Sequence, residues 1–340
     1  MRLSYRARQI LLRTGIVALV VLVVAVLAFF CWFRWLERFV VYTRDEGAIL
    51  NMEISPQVED GEKAVPDEEE LAVSIYYNEG ENAINTSKEM AQLTGYYADA
   101  EALEAGIAAV KEQALALPAN TPIMLDVKSP KGNFFYTTTL STHTNPNLDT
   151  AAMDDLIATL DKRGAYLIAR LPALRDYYFG LEQTSNGLFV TAGTHLWADD
   201  DYCYWLDPTQ EGTIGYLAQI VTELRGLGFD EVVFDEFRFP DTTNLRFSGD
   251  REAAIGEAAK TLVNSCASDK FTVSFVGQAT FPLPENYCRL YLKSAAAAQA
   301  EAIAQQTGLE KPDIRLVFLT EIHDTRFDAY GVLRPLAAAH

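Results

Sequence analysis

From Leu71 to the C-terminus, short apolar runs alternate with longer amphipathic ones, and this alternation limits the fold more than any other feature of the chain. Strand-like runs lie at Leu71 to Tyr77, Thr94 to Ala98, Pro122 to Val127, Ala165 to Leu171, 231–236, Phe271 to Val276, Cys288 to Leu292 and Ile314 to Leu319. Helix-like runs separate many of them: Ala100 to Leu117, Thr150 to Arg163 behind a capping Asp149, Thr213 to Leu227, Arg251 to Cys266 and Ser294 to Gln306. Strands that alternate with helices at this spacing form a parallel sheet covered by helices. Seven or eight such strands suit a TIM-type (β/α)8 barrel better than a doubly wound sheet. A doubly wound nucleotide-binding sheet would carry a glycine-rich phosphate loop after its first strand. Neither G-x-G-x-x-G nor G-x-x-x-x-G-K-[ST] occurs, and the serine-hydrolase elbow G-x-S-x-G is absent too.

The run Gly228 to Asp241 concentrates the chemistry. A helix ends at Gly226 and Gly228, and Val232-Val233-Phe234 follows as a strand apolar on both faces. It leads straight into Asp235, Glu236 and Arg238 before Pro240 stops it. Unpaired charges are costly to bury, and parallel α/β folds bind ligands at the carboxyl ends of their strands. A site is therefore expected here, with an Asp–Arg pair closing the strand end as the plainer alternative.

The N-terminal part is of another kind. Thr14 to Phe33 is an uncharged apolar run of 20 residues, long enough to span a bilayer as a helix, and Arg2, Arg6, Arg8 and Arg13 precede it. It ends in Phe29-Phe30-Cys31-Trp32-Phe33 without a small-residue cleavage site, so an uncleaved anchor is expected rather than a secretory signal. The arginines favour a cytoplasmic N-terminus and an extracytoplasmic domain, a single-pass protein of the cell membrane. Residues 53–70 hold eight acidic residues, two prolines and one glycine, too few apolar groups to fold, and read as a solvated linker. The expected organisation is a basic tail (1–13), an anchor in the lipid bilayer (14–33), a juxtamembrane segment and acidic linker (34–70), and a barrel (71–340).

A net charge of −19, from 28 Lys and Arg against 47 Asp and Glu, argues against nucleic acid as a partner. The four cysteines form no C-x-x-C pair, and the four histidines show no H-E-x-x-H spacing, so no metal or other cofactor is expected. One bridge among Cys203, Cys266 and Cys288 stays open.

Gly228 to Pro240 resembles the signature of a family of glycosyl-hydrolase TIM barrels distantly similar to α-amylases. Upstream, Leu125-Asp126-Val127-Lys128 with Gly132 and Tyr136 looks like the family's DVK…G…Y strand. Tyr166 to Leu171 with Arg175-Asp176 looks like its IAR…D strand, and Trp197 with Trp205-Leu206-Asp207-Pro208 like its tryptophan loop. The likeness covers roughly residues 90 to 290, and its four motifs fall in order. Family members typically carry Gln at Val233 and Tyr at Glu236. Beyond Phe275 the likeness thins and the strands look short, so the barrel is expected to be incomplete or irregular at its C-terminal end.

The resemblance implies a glycosidase acting on a polysaccharide or cell-wall glycan, or alternatively an inactive barrel that binds such a glycan as a scaffold. Glycoside hydrolysis needs two carboxyl groups, one donating a proton and one acting as nucleophile or base. Asp235 is the expected ionised partner, kept charged by Arg238 and Arg170. Glu321, just after the strand Ile314 to Leu319, and Glu236 compete for the second role, although strand alternation points Glu236 away unless the backbone turns. Asp126, Lys128, Arg170, Asp176, Trp197, Trp205, Asp207 and Arg238 are expected to bind substrate, with an Asp126–Lys128 pair as an equally good reading of that strand end. Asp199-Asp200-Asp201 reads as a solvated turn rather than a calcium loop.

Overall fold

A computed structural model describes residues 40–43, 47–50, 90–293 and 295–336. The chain divides into two compact units, Met1–Asn78 and Glu79–His340. In the first unit, β1 (Val40–Thr43) and β2 (Gly47–Leu50) pair as an antiparallel hairpin. The expected anchor at 14–33, the linker at 53–70 and the strand at 71–77 lie outside the described residues. Among the described residues no helix is long and apolar enough to cross a membrane.

The second unit is an eight-stranded parallel barrel with helices between its strands. Its strands are β3 (Thr94–Ala98), β4 (Ile123–Asp126), β5 (Leu167–Pro172), β6 (Glu231–Asp235), β7 (Thr272–Val276), β8 (Leu290–Lys293), β9 (Leu316–Leu319) and β10 (Gly331–Pro335). The barrel closes where β10 pairs in parallel with β3 on one side and β9 on the other. The expectation of an incomplete barrel is thereby corrected, because β10, unrecognised in the sequence, supplies the eighth strand. The expected irregularity appears in the connections instead. Helix Ala300–Thr307 has only eight residues, and a single turn of 3-10 helix, Thr325–Phe327, joins β9 to β10.

The main helices follow from local signals. Asp149 caps Thr150–Lys162 by accepting from Ala151 N and Ala152 N, and Asp250 caps Arg251–Cys266 by accepting from Glu252 N and Ala253 N. Helix Glu211–Gly226 is followed by Gly228 at φ +97°, where glycine permits the left-handed turn into β6.

Strand parity organises the interior. Met124, Ile168, Val233 and Tyr291 form one buried cluster with Leu93, Val317, Leu319 and Leu333, separate from the residues packed under the helices. Side chains two positions further along a strand share a face, so Asp126, Arg170, Asp235 and Lys293 stand above this cluster at the carboxyl end of the barrel. Two positions earlier, Tyr166, Glu231 and Arg289 stand below it. A dry apolar layer thus separates two charged ones.

Candidate active site at the barrel mouth

Strands β4, β5 and β6 are consecutive neighbours, and their carboxyl ends bring Asp126, Arg170 and Asp235 to one rim. The pairing there differs from the expectation. Asp126 binds Arg170 through two hydrogen bonds, Nε at 2.5 Å and Nη2 at 2.9 Å, and also accepts from Ala100 N at 2.9 Å. Burial works against the charge on Arg170, but the hydrogen bond and charge of Asp126 more than offset it and hold the guanidinium above its ordinary pKa. Arg170 thus makes its direct pair with Asp126 while still feeling the charge of Asp235, and the ion-pair partner of Asp235 is Lys293 at 2.5 Å, from the end of β8. Lys293 was missed in the sequence because the expected strand stopped at Leu292.

Lys128 does not pair with Asp126. The chain leaves the strand after Asp126, and Lys128 turns to Asp176, 2.8 Å away, with both side chains fully removed from solvent. Lys128 also donates to Pro172 O at 3.0 Å. Asp176 accepts from Tyr216 OH and Phe179 N, each at 2.9 Å, and the latter bond caps the short helix Tyr177–Glu182. Burial first, then the Asp176 carboxylate, pushes the Tyr216 hydroxyl well above the usual phenol range, so it remains a donor. Lys128 and Asp176, expected to bind substrate, offer a ligand no surface and instead hold the loop after β5 in place.

Of the residues expected to bind substrate in the tryptophan loop, only Trp205 is sealed from solvent. Trp205 is only 3% exposed, and its Nε1 donates to Asp199 at 3.0 Å. Trp197 is half-buried and meets Trp205 edge-on, with ring centroids 6.5 Å apart. Asp207 accepts from the Thr209 amide and hydroxyl, which shapes the entry to helix Glu211–Gly226. Asp199 and Asp201 each lie 2.5 Å from Arg175, so this turn is built around an arginine. Cys203, Cys266 and Cys288 are buried free thiols, which removes the open disulfide.

A cleft of about 530 Å³ opens beside the end of β6. Asp235, Glu236, Arg238, Arg251, Glu252 and Lys293 supply its charged lining, and Phe239 and Phe281 part of its apolar wall. Glu236 reaches this cleft because the backbone turns sharply at φ +50°, a left-handed conformation uncommon for a non-glycine residue. Its amide donates to Asp235 Oδ1 at 2.9 Å, and its carboxylate pairs with Arg238 at 2.8 Å. Two consecutive carboxylates therefore share one wall, which regular strand alternation would have prevented. Arg238 also lies over the Trp205 ring, 4.9 Å from its centroid. Glu321 is exposed and does not line this cleft; its charge is felt at Tyr97, on the β3 side of the rim.

The fold is a (β/α)8 barrel, and its carboxylate-bearing cleft lies at the carboxyl end of the strands, where barrel enzymes hold their active sites. The chain belongs to the family described as "putative glycosyl hydrolase domain", which matches residues 93–277. Among solved structures, the GH36 α-galactosidase AgaA from Geobacillus stearothermophilus is 12% identical with a TM-score of 0.50, over 72% of this chain and 39% of that one. The chitobiase of Flavobacterium johnsoniae is 10% identical with a TM-score of 0.47, over 67% of this chain and 38% of that one. A hypothetical protein from Ruminiclostridium thermocellum ATCC 27405 is 19% identical with a TM-score of 0.46, over 53% of this chain and 96% of that one. At such identities the likeness concerns fold alone. No curated protein matches the chain.

Proposed function

We propose that the barrel is an extracytoplasmic glycoside hydrolase acting on a polysaccharide, tethered to the cell membrane through residues 14–33. Asp235 serves as nucleophile or base, and Glu236 as proton donor. One observation carries this reading: the left-handed turn at Glu236 sets two consecutive carboxylates into one open cleft at the barrel mouth. Family membership supports the reaction class. The tether rests on the uncharged 20-residue run and the four arginines before it.

The test is Asp235→Asn, with melting temperature and release of reducing ends measured on the same sample against a panel of polysaccharides. Lys293 is 46% exposed on its side chain, so it can turn to water when its partner is neutralised. The loss of that pair should cost no more than about 1 kcal/mol. An inactive variant that melts like the wild type supports Asp235 as the reacting carboxylate. Undiminished turnover overturns it.

A second reading is a barrel that binds glycan without cutting it. It is favoured by the ion pairs at the mouth, where Asp126, Asp235 and Glu236 each already face a cation. Paired carboxylates can still accept hydrogen bonds from sugar hydroxyls. Retention on a glycan column without release of reducing ends would select this reading.

A further inference from the structure

We propose that the cleft beside Asp235 takes an acid-bearing glycan, whose carboxylate, sulfate or phosphate substituent is held by Arg238, Arg251 and Lys293. The inference rests on the glycan reading above and specifies the class of sugar. It begins from a contrast of charge. The chain has 28 basic residues for 47 acidic ones, yet the cleft lining holds as many basic side chains (Arg238, Arg251, Lys293) as acidic ones (Asp235, Glu236, Glu252).

The cations are placed so that they can change partners. The Arg238 side chain is 55% exposed and Lys293 46% exposed, so their bonds to Glu236 and Asp235 are open to water. Such pairs contribute little and exchange readily for a ligand's anion. Both arginines also have a seat independent of any carboxylate. Arg238 rests on the Trp205 ring at 4.9 Å, and Arg251 lies 5.6 Å from the Phe239 ring while donating to Thr242 O at 2.8 Å. Arg238 also donates to Phe239 O at 3.3 Å, so when Glu236 is exchanged for a ligand's anion the guanidinium keeps its ring and carbonyl contacts.

Substrate charge and the carboxylates then become linked. An anion that pairs with Arg238 releases Glu236, and one that pairs with Lys293 releases Asp235, freeing the two groups that must face the scissile bond. A neutral sugar leaves both pairs closed. Phe239 and Phe281 give the cleft an apolar wall against which the carbon face of a sugar ring can lie.

The test measures binding of the full-length protein, in a neutral detergent, to three probes of equal length: tetragalacturonate, a sulfated galactan tetrasaccharide and neutral galactotetraose. At least one acidic probe should bind about tenfold or more tightly than the neutral one, and its affinity should fall as salt rises. The uronate and sulfate probes identify which acid is preferred. Arg238→Gln and Arg251→Gln should each reduce the acid-over-neutral preference severalfold. If a variant melts early, the salt series on the wild type decides alone. Neutral galactotetraose binding as tightly as the acidic probes, or acid binding indifferent to salt, overturns the inference and leaves the glycan reading standing. Binding of none of the three, together with no glycan retained from the polysaccharide panel, overturns both.

Discussion

Replacing Asp176 with Asn separates a structural from a ligand-binding role for this residue. Asp176 and Lys128 are fully buried and 2.8 Å apart, and Asp176 also accepts from Tyr216 and Phe179. Asn keeps the shape but removes the charge, which leaves the Lys128 ammonium buried with only Pro172 O as a further acceptor. Breaking a buried pair from one side costs about 3–5 kcal/mol. A unit of roughly 250 residues has an unfolding entropy near 0.5 kcal/mol/K, so the melting temperature should fall by about 6–10 °C. Near-UV circular dichroism during heating reads this directly. Adding Lys128→Met removes the stranded charge, so the double variant should lose less than the two single losses added together. Asp176→Asn melting within about 1 °C of the wild type would refute the reasoning, because a neutral side chain would then satisfy Lys128 as well as a carboxylate does.

Two further outcomes follow from packing. Gly132→Ala should destabilise by about 1–3 kcal/mol in urea titration, because Gly132 sits at φ +87° and a Cβ there would lie 2.2 Å from Asp176 Oδ1, itself pinned by its partners. Glu231→Gln should lower the urea midpoint by the equivalent of about 3–5 kcal/mol, since it strands the buried Arg289 guanidinium now 2.5 Å from the carboxylate.

The elements with sharp limits were legible because periodic runs bounded by a turn, a cap or a charge admit few readings: the strand Thr94–Ala98 and the helix Arg251–Cys266 fall where expected. Which side chains meet was less legible. The strand Ile123–Asp126 is buried on both faces, so its sequence does not reveal which face points inward. Without that parity, a pair with its near neighbour Lys128 reads as well as substrate binding for Asp126, and nothing in the sequence points to Arg170, 44 positions away. Strand β10 was missed because Gly331–Pro335 is short and contains Arg334 and Pro335, a weak strand pattern that only pairing with β3 and β9 rescues. The helix Tyr177–Glu182 had a usable signal in Asp176, a capping residue three positions before Phe179, but the aromatic run around it read as loop.

Parity also explains why charges at the two ends of the barrel behave differently. Below the apolar layer, Glu231 accepts from Arg289 and Ser274 at 2.5 Å and from Tyr166 and Tyr291 at 3.0 Å. Arg289 also donates to Tyr166 OH at 3.2 Å and to Ala91 O and Ile314 O, each at 3.1 Å. Both charged side chains are almost wholly removed from solvent, so breaking this pair would leave a buried charge without its partner. Above the layer, Lys293 and Arg238 stand half in water, and each can leave its carboxylate for another anion at little cost. The same kind of ion pair fixes the fold where it is sealed and becomes an exchangeable contact where it is open. The ion pairs free to change partners therefore lie at the mouth, which is why the proposed chemistry is placed there.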